Sequence, residues 1–121
     1  MKKTAVIGAT PNTTRYAFIA SKMLKDYDHA VVPIGIKKGE ILGMEILNLR
    51  EKPEVENIHT VTLYIGPPHQ PEWYEYLLSL NPKRIIFNPG TENSELVELA
   101  EAQGIEATYA CTLVLLRLGS Y

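Results

Sequence analysis

Strand and helix signals alternate along the whole of this sequence, and that alternation leaves few folds open to it. Thr4 to Ile7 is short, β-branched and apolar and ends at Gly8, the pattern of a buried strand. From about Thr13 to Tyr27 the pattern turns helical, with Tyr16, Ile19 or Ala20, Met23 and Tyr27 recurring at spacings of three and four. Asn12 or Thr13 is the expected cap. His29 to Ile34 reads as a second strand, stopped by the Gly35 region. A loop containing Gly39 and Gly43 then leads to a short strand from Met44 to Leu47.

The second half repeats the scheme. Thr60 to Ile65 alternates β-branched and apolar residues as a strand does, and Pro67-Pro68 ends it. Pro71 suits the first turn of an amphipathic helix carrying Trp73, Tyr76, Leu77 and Leu80. Lys83 to Phe87 is the next strand, followed by a turn at Asn88-Pro89-Gly90. Asn93 or Ser94 then caps a helix through Gln103, with Glu95 in its first turn and Gly104 just beyond its end. Ile105 to Tyr109 is a last strand and Thr112 to Leu118 a closing helix. Strands joined through helices pair in parallel, and right-handed crossovers put helices on both faces. The expectation is a single α/β domain over residues 1–121, Rossmann-like and doubly wound, with a mostly parallel sheet of about five strands.

The chain's net charge of −2 offers no general attraction to nucleic acid, so any anion site must be local. Lys2 and Lys3 precede only a short apolar run before Gly8, which is no secretory signal, and Leu113 to Leu116 is too short to span a bilayer. Cys111 is the sole cysteine, which excludes an internal disulfide and suits a reducing compartment. These features lead one to expect a soluble, cytoplasmic protein without a membrane or nucleic-acid partner.

In a doubly wound sheet, ligands sit beyond the carboxyl ends of the strands. The residues to weigh are therefore Gly8 to Arg15, Pro33 to Lys38, Tyr64 to His69, Asn88 to Asn93, and Cys111. At the first exit, Gly8 permits close backbone approach and the following helix aims free N–H groups at an anion. Thr10, Asn12, Thr13 and Thr14 add neutral donors, and Arg15 adds a charge. The same residues also make a plain turn and cap, and both readings stay open. The GK[ST] ending of a Walker loop is absent.

The second exit bears on which nucleotide is bound. A site for NAD usually places Asp or Glu here to hold the ribose hydroxyls, whereas this strand ends Pro33-Ile34-Gly35-Ile36 without an acid and Lys37-Lys38 follow. Positive charge in place of an acid favours a nucleotide with an extra ribose phosphate, which both NADP and coenzyme A carry. Glu92 is the best candidate for a general base, although a turn and capped helix explain its segment equally well. His29, His59 and His69 are scattered without ligand spacing, and no metal site is expected. Cys111 lies where a helix N-terminus would lower a thiol pKa, though small buried cysteines are common.

Taken together, the stretches "VIGATPNTTRYA", "VVPIGIKKGEILG", "TVTLYIGPP", "RIIFNPGTENSELVELAEAQGIE" and "ACTLVLL" resemble, in order and over nearly the whole chain, the CoA-binding protein family. That family is similar in fold to the amino-terminal domain of the succinyl-CoA synthetase α subunit. The resemblance implies a phosphate loop of Gly8, Ala9, Thr10, Asn12 and Arg15, with Pro33, Ile34, Gly35 and Lys37 flanking the adenosine and its phosphates. It implies that Tyr64, Ile65, Gly66, Pro67 and Pro68 border the nucleotide, and that Asn88, Pro89 and Gly90 border the pantetheine. Cys111 falls at the family's recurrent cysteine. Many members have Asn-Pro-Lys where this chain has Gly35-Ile36-Lys37, so a side-chain amide is missing here. The synthetase's ligase activity does not carry over, because it needs a phosphorylatable histidine on a further domain and a second subunit.

The leading expectation is a module that binds CoA or an acyl-CoA without catalysis of its own. The alternatives are a small CoA-dependent enzyme using Glu92 or Cys111, an NADP-binding protein, and a redox protein whose Cys111 forms a mixed disulfide with CoA. Trp73, Tyr74 and Tyr76 supply enough aromatic surface for a homo-oligomer, or simply for a core face.

Overall fold

The computed structural model describes residues 1–121. β1 (Thr4–Ile7) is buried along its whole length, and its alternation feeds two cores, Ala5 and Ile7 on one face and Val6 on the other. α1 (Tyr16–Asp26) returns the chain to β2 (Val31–Gly35), which pairs in parallel with β1. A small antiparallel hairpin follows, β3 (Glu40–Ile41) against β4 (Met44–Glu45), and then β5 (Leu47–Asn48) pairs in parallel with β2. The chain next crosses to the other side of β1 as β6 (Thr60–Leu63). It continues through α2 (Tyr74–Ser79), β7 (Arg84–Phe87), α3 (Ser94–Ala102), β8 (Glu106–Tyr109) and α4 (Thr112–Leu118).

The spatial order of the sheet is β5-β2-β1-β6-β7-β8, and every pairing in it is parallel. This is the doubly wound Rossmann order: the chain winds outward from β1 and then restarts at β6 in the opposite direction. The switch point lies between β1 and β6. One core packs Ile34, Leu63, Phe87, Leu77 and Leu96 together, joining the sheet to α2 and α3. The other joins Val6 and Ile86 to Ala17, Leu24 and Leu116 of α1 and α4. No helix is long and apolar enough to cross a membrane.

Four local features depart from the sequence expectation. The sheet has six strands rather than about five. The segment Met44–Leu47 is not one strand, because Ile46 leaves the ladder, buries its side chain and donates its N–H to Gly39 O at 2.9 Å. That kink separates the hairpin from the edge strand β5. α1 begins at Tyr16 rather than near Thr13, since Asn12 Oδ1 accepts the Thr14 N–H (3.0 Å) and hydroxyl (2.8 Å) and so holds a separate turn before the helix. The buried face of α1 is Ala17, Ala20, Ser21 and Leu24, while Tyr16 and Tyr27 are exposed. Small residues let the helix backbone approach the sheet, which a stripe of tyrosines would prevent. Asn93 caps α3 as expected, accepting the Glu95 N–H at 3.1 Å.

Candidate functional site

Three strand exits are locked to one another by backbone contacts that only glycine permits. Gly8 has φ +98°, and a Cβ there would stand 2.9 Å from the Tyr64 carbonyl oxygen. The Gly8 and Ala9 N–H groups both donate to Ile34 O, at 2.9 and 3.1 Å. A Cβ on Gly35 would stand 2.3 Å from Ala9 O. Gly8 and Gly35 therefore bring the exits of β1, β2 and β6 together, a demand of the fold that comes before any ligand.

Above this junction a cleft of about 980 Å³ runs across the carboxyl ends of β5, β2, β1, β6 and β7. From the first exit, Gly8, Ala9, Thr10, Asn12 and Arg15 line it, and Lys37 lines it from the second. Tyr64, Ile65 and Gly66 form part of the wall beyond β6, and Pro89 and Gly90 part of the wall beyond β7. Three cations, Arg15, Lys37 and Arg50, stand around the cleft, and none is in an ion pair; the molecule's one salt bridge is Lys22–Asp26 at 2.9 Å on the outer face of α1. Glu72 is the only carboxylate in the lining. A chain of net charge −2 thus concentrates unpaired positive charge at the switch point.

The remaining sequence candidates stand elsewhere. Pro33, Ile34 and Gly35 are buried inside β2 and support the cleft from below. Pro67 and Pro68 belong to a 3-10 turn, Pro67–His69, outside the lining apart from His69. Asn88 is buried and its amide is fully engaged inside the protein, donating to Thr62 Oγ1 (2.7 Å) and Leu63 O (2.9 Å) and accepting the Thr112 N–H (2.9 Å). Glu92 accepts the Gly90 N–H at 2.8 Å and acts as a clip on its own turn, outside the cleft lining. Cys111 is half-buried at the start of α4 and does not line the cleft.

The Tyr64 phenol reaches inward from the cleft wall. Its oxygen is buried without a hydrogen-bond partner, near the Thr62 and Thr112 hydroxyls, which bond each other at 2.8 Å. Burial pushes its pKa well above the usual value of 10, so it is a neutral wall of the site and not a base.

Sequence reasoning overlooked several lining residues. Leu49 and Arg50 follow β5, whose two residues carry no readable period, so this strand exit went uncounted. Tyr16 and Ala17 line the cleft because the helix starts later than its polar prelude indicated. Glu72 and Trp73 come from the 3-10 turn Pro71–Trp73 that precedes α2. Thr14, Ile36, His69 and Thr91, which also line the cleft, fall within the strand exits already weighed. For Leu49 and Arg50, counting the exit of β5 with the others is the signal that finds them.

The model of a family described as CoA binding domain matches residues 2–117. Among solved structures, the crystal structure of a protein described as uncharacterized superposes with a TM-score of 0.97 and 54% identity, over 100% of this chain and 98% of that one. A hypothetical protein from Pyrococcus horikoshii OT3 is 28% identical with a TM-score of 0.81, over 93% of this chain and 80% of that one. The dinucleotide-forming acetyl-coenzyme A synthetase 1 of Ca. Korarchaeum cryptofilum, solved with phosphate and ADP, shares the fold at 17% identity and a TM-score of 0.71, over 92% of this chain and 26% of that one. No curated protein matches the sequence.

Proposed function

This chain belongs to the CoA binding domain family, and from that premise we propose that its strand-end cleft holds coenzyme A or an acyl-CoA. The observation that carries the reading is the set of three cations without carboxylate partners, Arg15, Lys37 and Arg50, around a cleft at the switch point of the sheet. The pyrophosphate lies at the start of α1, where the first N–H groups of the helix lack intrahelical partners and the dipole favours negative charge. Arg15, at the cap position of that helix, supplies the local charge. Lys37 takes the place at the exit of β2 that an acidic residue would need for ribose hydroxyls, which favours a phosphorylated ribose.

The rest of the wall suits the uncharged parts of such a ligand. Leu49, Ile65 and Trp73 offer apolar surface, and Tyr64 stays neutral. A cleft of about 980 Å³ is at the large end for small-molecule sites and fits an elongated nucleotide. Glu92 and Cys111, the sequence candidates for chemistry, stand outside the lining, so the reading is one of binding. Calorimetric titration with CoA, NAD and NADP tests it. CoA is expected to bind most tightly, and preference for either dinucleotide overturns the reading.

A further inference from the structure

Charge along the cleft changes sign in the order of the sheet. Arg50 follows β5, Lys37 follows β2 and Arg15 follows β1, whereas Glu72 stands beyond β6, in the turn that leads to α2. That turn is seated between two strand exits. The buried Gln70 amide donates to Ile65 O after β6 and to Thr91 O after β7, both at 2.8 Å. Its Oε1 accepts the Asn93 amide at 2.8 Å, and its backbone carbonyl accepts the Trp73 N–H at 2.8 Å. Pro71, Glu72 and Trp73 are thereby held against the β6–β7 end of the cleft. Ile65 and Trp73 give that end an apolar wall, and the exposed Glu72 carboxylate stands beside it in no ion pair. No lysine or arginine lines this end.

The charge of the ligand then orients it. Coenzyme A carries all of its phosphates on the nucleotide half, which the three cations draw to the β5–β2–β1 side. The thiol, with any acyl group on it, is left to the β6–β7 end. We propose that this end is an acyl subsite and that Glu72 selects against acyl groups with a terminal carboxylate. The ligand class is then CoA thioesters of neutral or cationic acids rather than of dicarboxylic acids. The assignment rests on the reading of this cleft as a CoA site. Ile65 and Trp73 take the hydrocarbon of the acyl chain. A second carboxylate brought to the same wall meets like charge with no lysine or arginine to offset it, which is discrimination by repulsion. Gln70 keeps the turn in place, so Glu72 cannot retreat by moving its backbone.

Calorimetry on the full chain with CoA and three stable thioethers tests this: S-propyl-CoA, S-(2-carboxyethyl)-CoA and S-(2-aminoethyl)-CoA. The proteins are the native chain, Glu72→Gln and Glu75→Gln, with unchanged circular dichroism and thermal midpoint establishing that both variants fold. Glu75 is exposed in the first turn of α2 but outside the cleft lining, so it reports the general field of the helix start. The native protein is expected to bind the propyl and aminoethyl ligands more tightly than the carboxyethyl one by about threefold or more, the range of an exposed charge pair. The difference narrows as salt is raised. In Glu72→Gln the propyl-to-carboxyethyl ratio approaches unity, and in Glu75→Gln it stays native. A ratio of unity in the native protein, one that survives in Glu72→Gln, or one that falls equally in Glu75→Gln overturns the assignment and leaves the CoA reading standing. Failure of the native protein to bind CoA or any of the three thioethers overturns both.

Discussion

Asn88 holds the Thr112 backbone N–H through its side-chain carbonyl at 2.9 Å, tying the start of α4 to the exit of β7 from inside the protein. The amide of Asn88 simultaneously satisfies Leu63 O and Thr62 Oγ1 across the neighbouring strand. Asn88→Ala removes all three bonds at a buried site and leaves the Thr112 donor unmatched. We expect a loss of about 3 kcal/mol in urea unfolding. An unchanged midpoint would contradict this role and return Asn88 to the ligand side.

Gly35→Ala probes the glycine junction under the cleft. The added Cβ would lie 2.3 Å from Ala9 O, a backbone atom that cannot rotate away. The β1 exit must shift, and with it the Ala9–Thr10 stretch of the cleft wall. Overpacking of this kind typically costs about 1–3 kcal/mol, and CoA affinity should fall together with stability. A variant with native stability and native affinity would show that the junction yields more freely than its geometry implies.

Glu92→Gln and Cys111→Ser should leave CoA affinity within about a factor of two of the native value. Neither residue lines the cleft, and Gln retains the oxygen that accepts the Gly90 N–H. Titration calorimetry on both variants checks the point. A tenfold or greater loss in either would bring that side chain to the ligand.

The doubly wound fold was legible because its long elements have clear periods. The strand Thr4–Ile7 is continuously apolar, and Asn93 caps a helix that ends before Gly104. What was not legible has physical causes. A two-residue strand such as β5 has no period, and its place in the sheet is set by the parallel ladder to β2. The tyrosines of α1 were placed on its buried face, whereas close approach to the sheet selects Ala17, Ala20 and Ser21 beside Leu24 and leaves Tyr16 and Tyr27 exposed. The site was read through its motifs, which include Arg15 and Lys37 of the cleft lining but not Arg50, on an unrecognised strand exit. Asn88 was expected beside the pantetheine and Glu92 as a candidate base, and only their hydrogen bonds reveal that both are engaged by the backbone.

Stability should weaken on acidification through histidines at the opposite end of the sheet. The Lys2 N–H donates to His29 Nδ1 at 3.0 Å, so that nitrogen must be unprotonated in the fold. Burial, and then nearby charges including Lys2 and Arg84, holds the His29 pKa below its usual 6.5; burial and Arg84 act likewise on His59. The unfolded chain takes up these protons first as pH falls, so stability is lost from about pH 6.5 downward until the folded values are passed. His29→Asn, which retains an acceptor in place of Nδ1, should lose less stability between about pH 7.5 and 5.5 in urea titrations. An identical loss in both proteins would remove His29 from this account.

Backbone amide shifts on titration with CoA test the central claim most directly, because they report binding and its location together. The account predicts concentrated, saturable shifts for Gly8 to Ala17, Ile36 and Lys37, Leu49 and Arg50, and Tyr64 to Gly66, with Lys2, His29 and His59 at the far end of the strands unmoved. Saturable shifts centred on the far end, or no shifts at millimolar CoA, would contradict it.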